Sequence, residues 1–265
     1  MLETTELLVT EDARTITLTL YRPEKCNALS PLLIAELLEA FRYAQEAAAE
    51  VVILTGAGEA FCSGLDLEHL TTLHAQTEDE CRRDSENMAL LLRRLYEFPK
   101  PVIAAVNGPA VAAGMSLATL ADFTLAAPEA RFGFNEVRVG FVPAIEASFL
   151  LRQIGEKRTR DLLLTGRLMK PAEAMTLGLV TQVVAAEELQ PAAHALAHML
   201  LQNSPQAMLC TKQLLARSAH RRLNEEIEDA IQANAQHRSG EDFREGVAAF
   251  LGHRKPSWPS RHATQ

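Results

Sequence analysis

The chain has little that could build a disulfide framework or a metal centre. Its four cysteines, Cys26, Cys62, Cys81 and Cys210, are far apart and form no CxxC pair. Neither a disulfide scaffold nor a zinc site is expected, and a reducing cytoplasm is the default compartment. The eight histidines show no HExxH or comparable ligand spacing. Positive charge is also in short supply: 26 Lys and Arg stand against 34 Asp and Glu, a net charge of −8. That argues against nucleic acid as a main partner, because phosphate recognition needs concentrated positive charge. An anionic ligand held by a few local cations or backbone N–H groups stays open. No long hydrophobic run is present either. The most apolar stretch, Pro101 to Ala127, is interrupted by Asn107, Gly108, Pro109, Gly114 and Asp122, so it is expected to be buried core and no membrane association is expected. The opening MLETTELLV carries Glu3 and Glu6 where a secretory leader would be basic.

What is present suits a soluble globular fold. Of 265 residues, 48% are apolar and 23% charged, enough for one large core or a core with an appendage. TITLTL (Thr15–Leu20) alternates as a half-buried strand does. VVILTG (Val51–Gly56) and PVIAAVNG (Pro101–Gly108) are continuous apolar runs ending in glycine, the pattern of strands covered on both faces. DFTLAA (Asp122–Ala127) is a shorter candidate. A helix is expected from Ser30 as N-cap with Pro31 at the first helical position, and another over Asp79–Tyr96. From Ala144 onward the signals are helical: Glu146–Ile154, Lys157–Leu164, Pro171–Leu177, Glu187–Leu201, Gln206–Ala219, Arg222–Ala235 and Asp242–Leu251. Strand–helix alternation followed by helices implies an α/β core with a helical C-terminal region, part of which is expected to meet a neighbouring subunit.

Several glycine motifs fail on inspection. GAG at Gly56–Gly58 lacks the third glycine of a dinucleotide fingerprint, since Phe61 stands there. GMSLA (Gly114–Ala118) lacks the second glycine of a nucleophile elbow. Two other segments say more. AFCSGLDL (Ala60–Leu67) and NGPAVAAGMSLA (Asn107–Ala118) both follow buried strands and place small residues where strand gives way to helix. Backbone N–H groups are unpaired there, and two such loops face to face can aim two donors at one carbonyl oxygen. Tight packing of small residues is the plainer alternative.

At these loops the chain resembles the crotonase superfamily of enoyl-CoA hydratases and isomerases. AFCSGLDL is similar to the family's A-F-[CS]-[AS]-G-x-D-[LI], and PKPVIAAVNGPAVAAGMSLATLADFTLAAPEARFG to its longer signature. RPEKCNALS, LTGRLMKPAEAMTLGLV and REGVAAFLGHRKP follow in family order. The resemblance implies an α/β spiral of ββα turns over residues 1–200, with a C-terminal helical trimerisation region over 201–265. It implies a homo-trimer or hexamer acting on acyl-CoA thioesters through an enolate, with no cofactor beyond the CoA of the substrate. The implied oxyanion donors are the N–H groups of Leu65 and Ala113. Implied substrate and CoA contacts are Lys25, Cys26, Ala28, Ser63 and Asp66, with Phe250, His253 and Arg254 reaching the nucleotide end from an adjacent subunit. His253 stands where the family commonly has lysine.

Family hydratases carry two glutamates. Here the first position is Ser116, the second is Glu136 in FGFNEVRVG, and the usual glycine triplet has become Ala112, Ala113 and Gly114. Hydration asks for a base to activate water and an acid to protonate C2, whereas moving a double bond from Δ3 to Δ2 needs one base. The loss at Ser116 therefore favours isomerase-type proton transfer by Glu136. Phe132, Phe134, Val137 and Phe141 are the expected apolar surround that raises its pKa. Glu146, in GFVPAIE, falls in the first turn of a helix, where a glutamate ordinarily offsets the helix dipole. A second catalytic acid is the alternative, as is hydration with a water held by Ser116; thioester hydrolysis or decarboxylation with the same residues, and a catalytically weak acyl-CoA-binding homologue, are the other readings.

Overall fold

The strands, in chain order, are β1 (Leu7–Asp12), β2 (Thr15–Leu20), β3 (Val51–Gly56), β4 (Val102–Val106), β5 (Ala110–Val111), β6 (Phe123–Ala126), β7 (Phe132–Gly133) and β8 (Gln182–Val183). In this computed structural model, which describes residues 2–12, 14–73 and 77–261, six of them form one sheet in the order β1-β2-β3-β4-β6-β8. β1 and β2 are an antiparallel hairpin, and every later pairing is parallel. β5 and β7 make a separate two-stranded parallel sheet. The helices are α1 (Pro31–Glu46), α2 (Leu67–Leu73), α3 (Glu78–Tyr96), α4 (Ala113–Thr119), α5 (Ala144–Ile154), α6 (Glu156–Thr165), α7 (Pro171–Thr176), α8 (Leu189–Leu200), α9 (Pro205–Arg238) and α10 (Glu241–Leu251). The expected α/β architecture with C-terminal helices is what the chain forms.

The two patterns of strand burial have the anticipated cause. In β2 the inward Ile16, Leu18 and Leu20 are buried while Thr17 and Thr19 are half-buried. In β3 and β4 every Val, Ile, Leu and Ala is buried because both faces are covered. Val52, Leu54, Ala104 and Val106 join the main core beneath α1, α3 and α4. Val51, Ile53, Ile103 and Ala105 pack on the other face, under Leu189, Ala193, Ala197 and Leu200 of α8. Period-2 alternation (P-out, H-in) cannot survive when neither face meets water.

Helix starts obey local chemistry. The Ser30 hydroxyl accepts from the Leu33 N–H at 3.0 Å, with Pro31 next. Thr77 and Glu80 close a reciprocal capping box that starts α3. One expectation needs correction. The segments Gln206–Ala219 and Arg222–Ala235 are one unbroken 34-residue helix, α9. Nothing between them is a helix breaker, and Leu223, Ile227, Ala230 and Ile231 anchor its second half in the main core. Its first half is largely exposed, with Leu214 and Leu215 open to solvent. Among the described residues, no helix is long and apolar enough to cross a membrane.

Candidate active site

The loops that leave the C-terminal ends of β3 and β4 are bonded to each other. The Val111 N–H donates to the Cys62 carbonyl at 2.9 Å, and the Phe61 and Cys62 N–H groups share the Pro109 carbonyl at 3.1 Å. Glycine makes this approach possible: a Cβ on Gly114 would stand 2.2 Å from the Cys62 oxygen. Gly64, at φ +90°, faces the Ala112 side chain across the same seam. Ala112 itself holds φ 55°, ψ −131°, a backbone region natural to glycine. Its N–H is tied to the Gly133 carbonyl of β7 at 2.8 Å.

This arrangement leaves two donors unspent. Among the described residues, neither the Leu65 nor the Ala113 N–H has a protein acceptor. Leu29 explains the first, because its N–H and C=O bond Gly64 and Asp66 on either side and pass Leu65 by. Ala113 is the first residue of α4, where an N–H has no intrahelical partner. Both residues line a cavity of about 590 Å3, open mouth included, together with Ser63, Ala112, Asn135, Glu136, Val139, Phe141, Glu146 and Phe250.

The far wall carries the carboxyl groups. Glu136 opens a short 3-10 turn, Glu136–Val139, just after β7, and the turn closes at Gly140 with φ +68°. α10 lies hard against this turn: a Cβ on Gly246 would fall 2.3 Å from the Val139 carbonyl. That contact carries Phe250 over the cavity, and Phe141, Phe243 and Val247 fill the space beneath. Glu146 does sit in the first turn of α5, yet its side chain is buried on the cavity wall rather than offered to solvent. Glu136 and Glu146 are 7% and 5% exposed, and each has one buried oxygen without a hydrogen-bond partner. Burial pushes the Glu136 carboxyl well above its ordinary range, and the neighbouring Glu146 adds to the effect. Burial raises Glu146 to about 7, against the pull of its own backbone N–H and of the Arg238 charge. Such a pair is unstable with both members ionised, so one proton is retained near neutral pH.

The other expected positions divide. Ser63 and Phe250 line the cavity, Phe250 within its own chain. Ser116 is buried inside α4 and does not line it. The Asp66 carboxylate, which burial alone would raise, is taken below its ordinary range by Arg22 at 2.7 Å and by the Glu68 N–H. It is thereby engaged within the fold. Lys25 is exposed and paired with Glu68, Cys26 is exposed in a left-handed conformation, and Ala28 is buried with its carbonyl on Arg22. His253 is exposed, and Arg254 pairs with Glu245 at 2.6 Å. Of the aromatic and branched residues expected around Glu136, Phe141 lines the cavity, while Phe132 and Phe134 belong to the core. Ala112, Asn135 and Val139 are lining residues that the sequence did not single out. The last two lie in the FGFNEVRVG segment around Glu136, a signal that could have found them. No cluster of three or more His, Cys, Asp or Glu suited to a metal ion occurs among the described residues.

Residues 10–261 match the enoyl-CoA hydratase/isomerase family. The chain belongs to that family. Within the enoyl-CoA hydratase/isomerase family it is 40% identical to the "Putative enoyl-CoA hydratase" of Thermus thermophilus over 88% of this chain and 93% of that one. It is 32% identical to the 1,2-epoxyphenylacetyl-CoA isomerase of Escherichia coli, covering 93% of this chain and 95% of the relative. Its fold superposes on an enoyl-CoA hydratase/isomerase crystal structure from Mycobacterium paratuberculosis with a TM-score of 0.86 at 30% identity, covering 92% of this chain and 98% of that one. The crotonase-type fold and an enzyme of hydratase/isomerase type are thereby shown for this member of the family.

Proposed function

We propose that the protein hydrates a 2-enoyl-CoA, holding the thioester oxygen between the Leu65 and Ala113 N–H groups and using Glu136 and Glu146 as its acid–base pair. The observation that carries this reading is that two buried carboxyl groups line one cavity with two unspent backbone donors. Water adds its oxygen to C3, the C2=C3 electrons pass to a thioester enolate, and C2 then takes a proton. One carboxylate receives the water's proton and one carboxylic acid supplies that of C2. The enolate oxygen carries the developing charge, and fixed N–H donors in a water-poor site stabilise it without reorganising. The loss of a glutamate at Ser116 favours isomerisation in the sequence; Glu146, reaching the cavity from α5, supplies a second carboxyl by another route.

Ser63, Lys25, Cys26 and Ala28 are the proposed contacts for the pantetheine and nucleotide, and His253 and Arg254 for the phosphates. A trimer or hexamer is the proposed assembly, supported by Leu214 and Leu215 on the exposed half of α9. A second reading, Δ3,Δ2-isomerisation by Glu136 alone, is favoured by Ser116, which stands where a second carboxylate would be. Turnover on matched 2-enoyl- and 3-enoyl-CoA substrates separates the two. Hydration faster than isomerisation supports the first reading, and isomerisation without hydration supports the second.

A further inference from the structure

The active-site cavity stands back to back with a second, open hollow, and one pair of rings divides them. Of the residues lining the cavity, Ser63 and Phe250 are exposed at its mouth, whereas Glu136, Glu146 and Phe141 are buried at its inner end. Phe141 is the apolar member of that end. Between α2 and α10 lies an apolar groove of about 570 Å3, open side included. Phe243 and Val247 form its floor, with Thr71, Ala248 and Leu251 around them. Phe243 is 1% exposed, and its ring centroid is 5.7 Å from that of Phe141. Phe141 thus faces the cavity, Phe243 faces the groove, and the two rings touch.

This partition is fixed through both backbone and rings. The Phe141 N–H donates to the Glu136 carbonyl at 3.0 Å, which keys the ring to the turn that carries the carboxyl group. A Cβ on the preceding Gly140 would lie 2.5 Å from the Asp242 carbonyl oxygen and 3.0 Å from Phe243 Cα. The two backbones are therefore already in contact. The Arg238 guanidinium lies over the Phe141 ring, 5.2 Å from its centroid. Arg238 is 2% exposed and held by Asp84 of α3 at 2.5 Å, whose other oxygen is 2.6 Å from His69 Nε2 of α2. A ring seated between an anchored cation and a second buried ring does not yield to a ligand without breaking these contacts.

We infer that the Phe141–Phe243 partition sets the length of the acyl chain, so that the protein takes short enoyl-CoA chains of the crotonyl class and rejects long ones. The inference rests on the reading of this cavity as the acyl-CoA site, and it holds for hydration and isomerisation alike. The thioester enters by the mouth and places its oxygen on the Leu65 and Ala113 N–H groups, so the chain extends inward past the glutamates. The side chains of Leu65 and Val139 pack on the same cluster as Phe141 and Phe243 and give the chain its apolar walls. At Phe141 it stops. A longer chain has to displace the ring pair or fold its methylenes against two carboxyl groups, and each course costs binding energy.

The test is kcat/KM for crotonyl-CoA and 2-dodecenoyl-CoA, and for the 3-enoyl isomer of each, in the wild type, in Phe243→Ala and in Phe243→Ala combined with Phe141→Leu. The wild type should prefer the short chain by about 100-fold or more. Phe243→Ala joins the cavity to the groove. Each methylene newly buried there is worth roughly fourfold, so the preference should fall by at least about tenfold, and further in the double variant. A Phe243 that only supports the fold would lower both chain lengths alike, and an unchanged preference in the folded variant overturns the proposal. If the variants do not fold, calorimetric titration of the wild type with butyryl-CoA and dodecanoyl-CoA still decides. Tighter binding of butyryl-CoA supports the partition, and equal or tighter binding of dodecanoyl-CoA overturns it while leaving the acyl-CoA site in place. Neither turnover nor binding of any of these thioesters would reject the acyl-CoA reading itself, and the chain-length inference with it.

Discussion

Gly114 is pressed against the Cys62 carbonyl so closely that a Cβ there would lie 2.2 Å from its oxygen. Cys62 and Gly114 belong to the two loops that present the Leu65 and Ala113 N–H groups, so their separation sets the spacing of those donors. Gly114→Ala cannot be absorbed by a flexible side chain, because the clash is with backbone. The variant should lose about 1–3 kcal/mol of stability, and displaced donors should lower kcat by about 100-fold or more. Thermal unfolding and turnover on the same sample check both. A folded Gly114→Ala protein with unchanged turnover would show that this seam does not place the donors.

Ala112 offers the opposite experiment. It occupies φ 55°, ψ −131° with a side chain that this region disfavours. Conformational strain of this kind costs roughly 1–3 kcal/mol, and glycine's greater unfolded-state freedom returns roughly 0.5–1 kcal/mol of that. Ala112→Gly should therefore stabilise the protein by about 1 kcal/mol, seen as a higher denaturant midpoint at unchanged slope. A lower midpoint would mean that Ala112 contributes more by packing against Gly64 than it loses in strain.

The paired carboxyl groups give stability a definite slope with pH. Glu136 and Glu146 both have folded pKa values above their ordinary 4.5, Glu146 at about 7. Between those limits the folded state binds more protons than the unfolded state, so stability falls as pH rises from about 5 to 8. Glu146→Gln removes one contributor. Relative to wild type, the variant should gain roughly 1–3 kcal/mol across that range. Urea unfolding at several pH values measures it, and parallel curves for the two proteins would contradict the burial argument.

The legible parts of this molecule were those set by local pattern. β3 and β4 announced themselves because residues covered on both faces must all be apolar, and the loops after them because only small residues fit where backbones touch. Glu136 was visible through the segment that carries it. Glu146 was visible as a candidate second acid, but the sequence could not choose that role over helix-dipole compensation, since a first-turn position says nothing about which way the side chain turns. That direction depends on how α5 lies against α9 and the cavity. His69, Asp84 and Arg238 come from three helices far apart in sequence, and no spacing rule brings them together. The two residues each of β5, β7 and β8 are too short for any periodicity. The single span of α9 was hidden for a different reason: its buried stripe begins only in its second half, so the pattern seemed to restart.

The central claim, that Glu136 and Glu146 work as one acid–base pair, is tested most directly by Glu146→Gln assayed on matched 2-enoyl- and 3-enoyl-CoA substrates. Glutamine keeps the shape and removes the ionisable group, while acyl-CoA binding, which draws on contacts outside the pair, should change little. Hydration of the 2-enoyl-CoA should fall by about 100-fold or more, as it should in Glu136→Gln. If instead Glu146→Gln hydrates at the wild-type rate, or the wild type only isomerises the 3-enoyl-CoA and Glu136→Gln alone abolishes that, the two-carboxyl account is wrong.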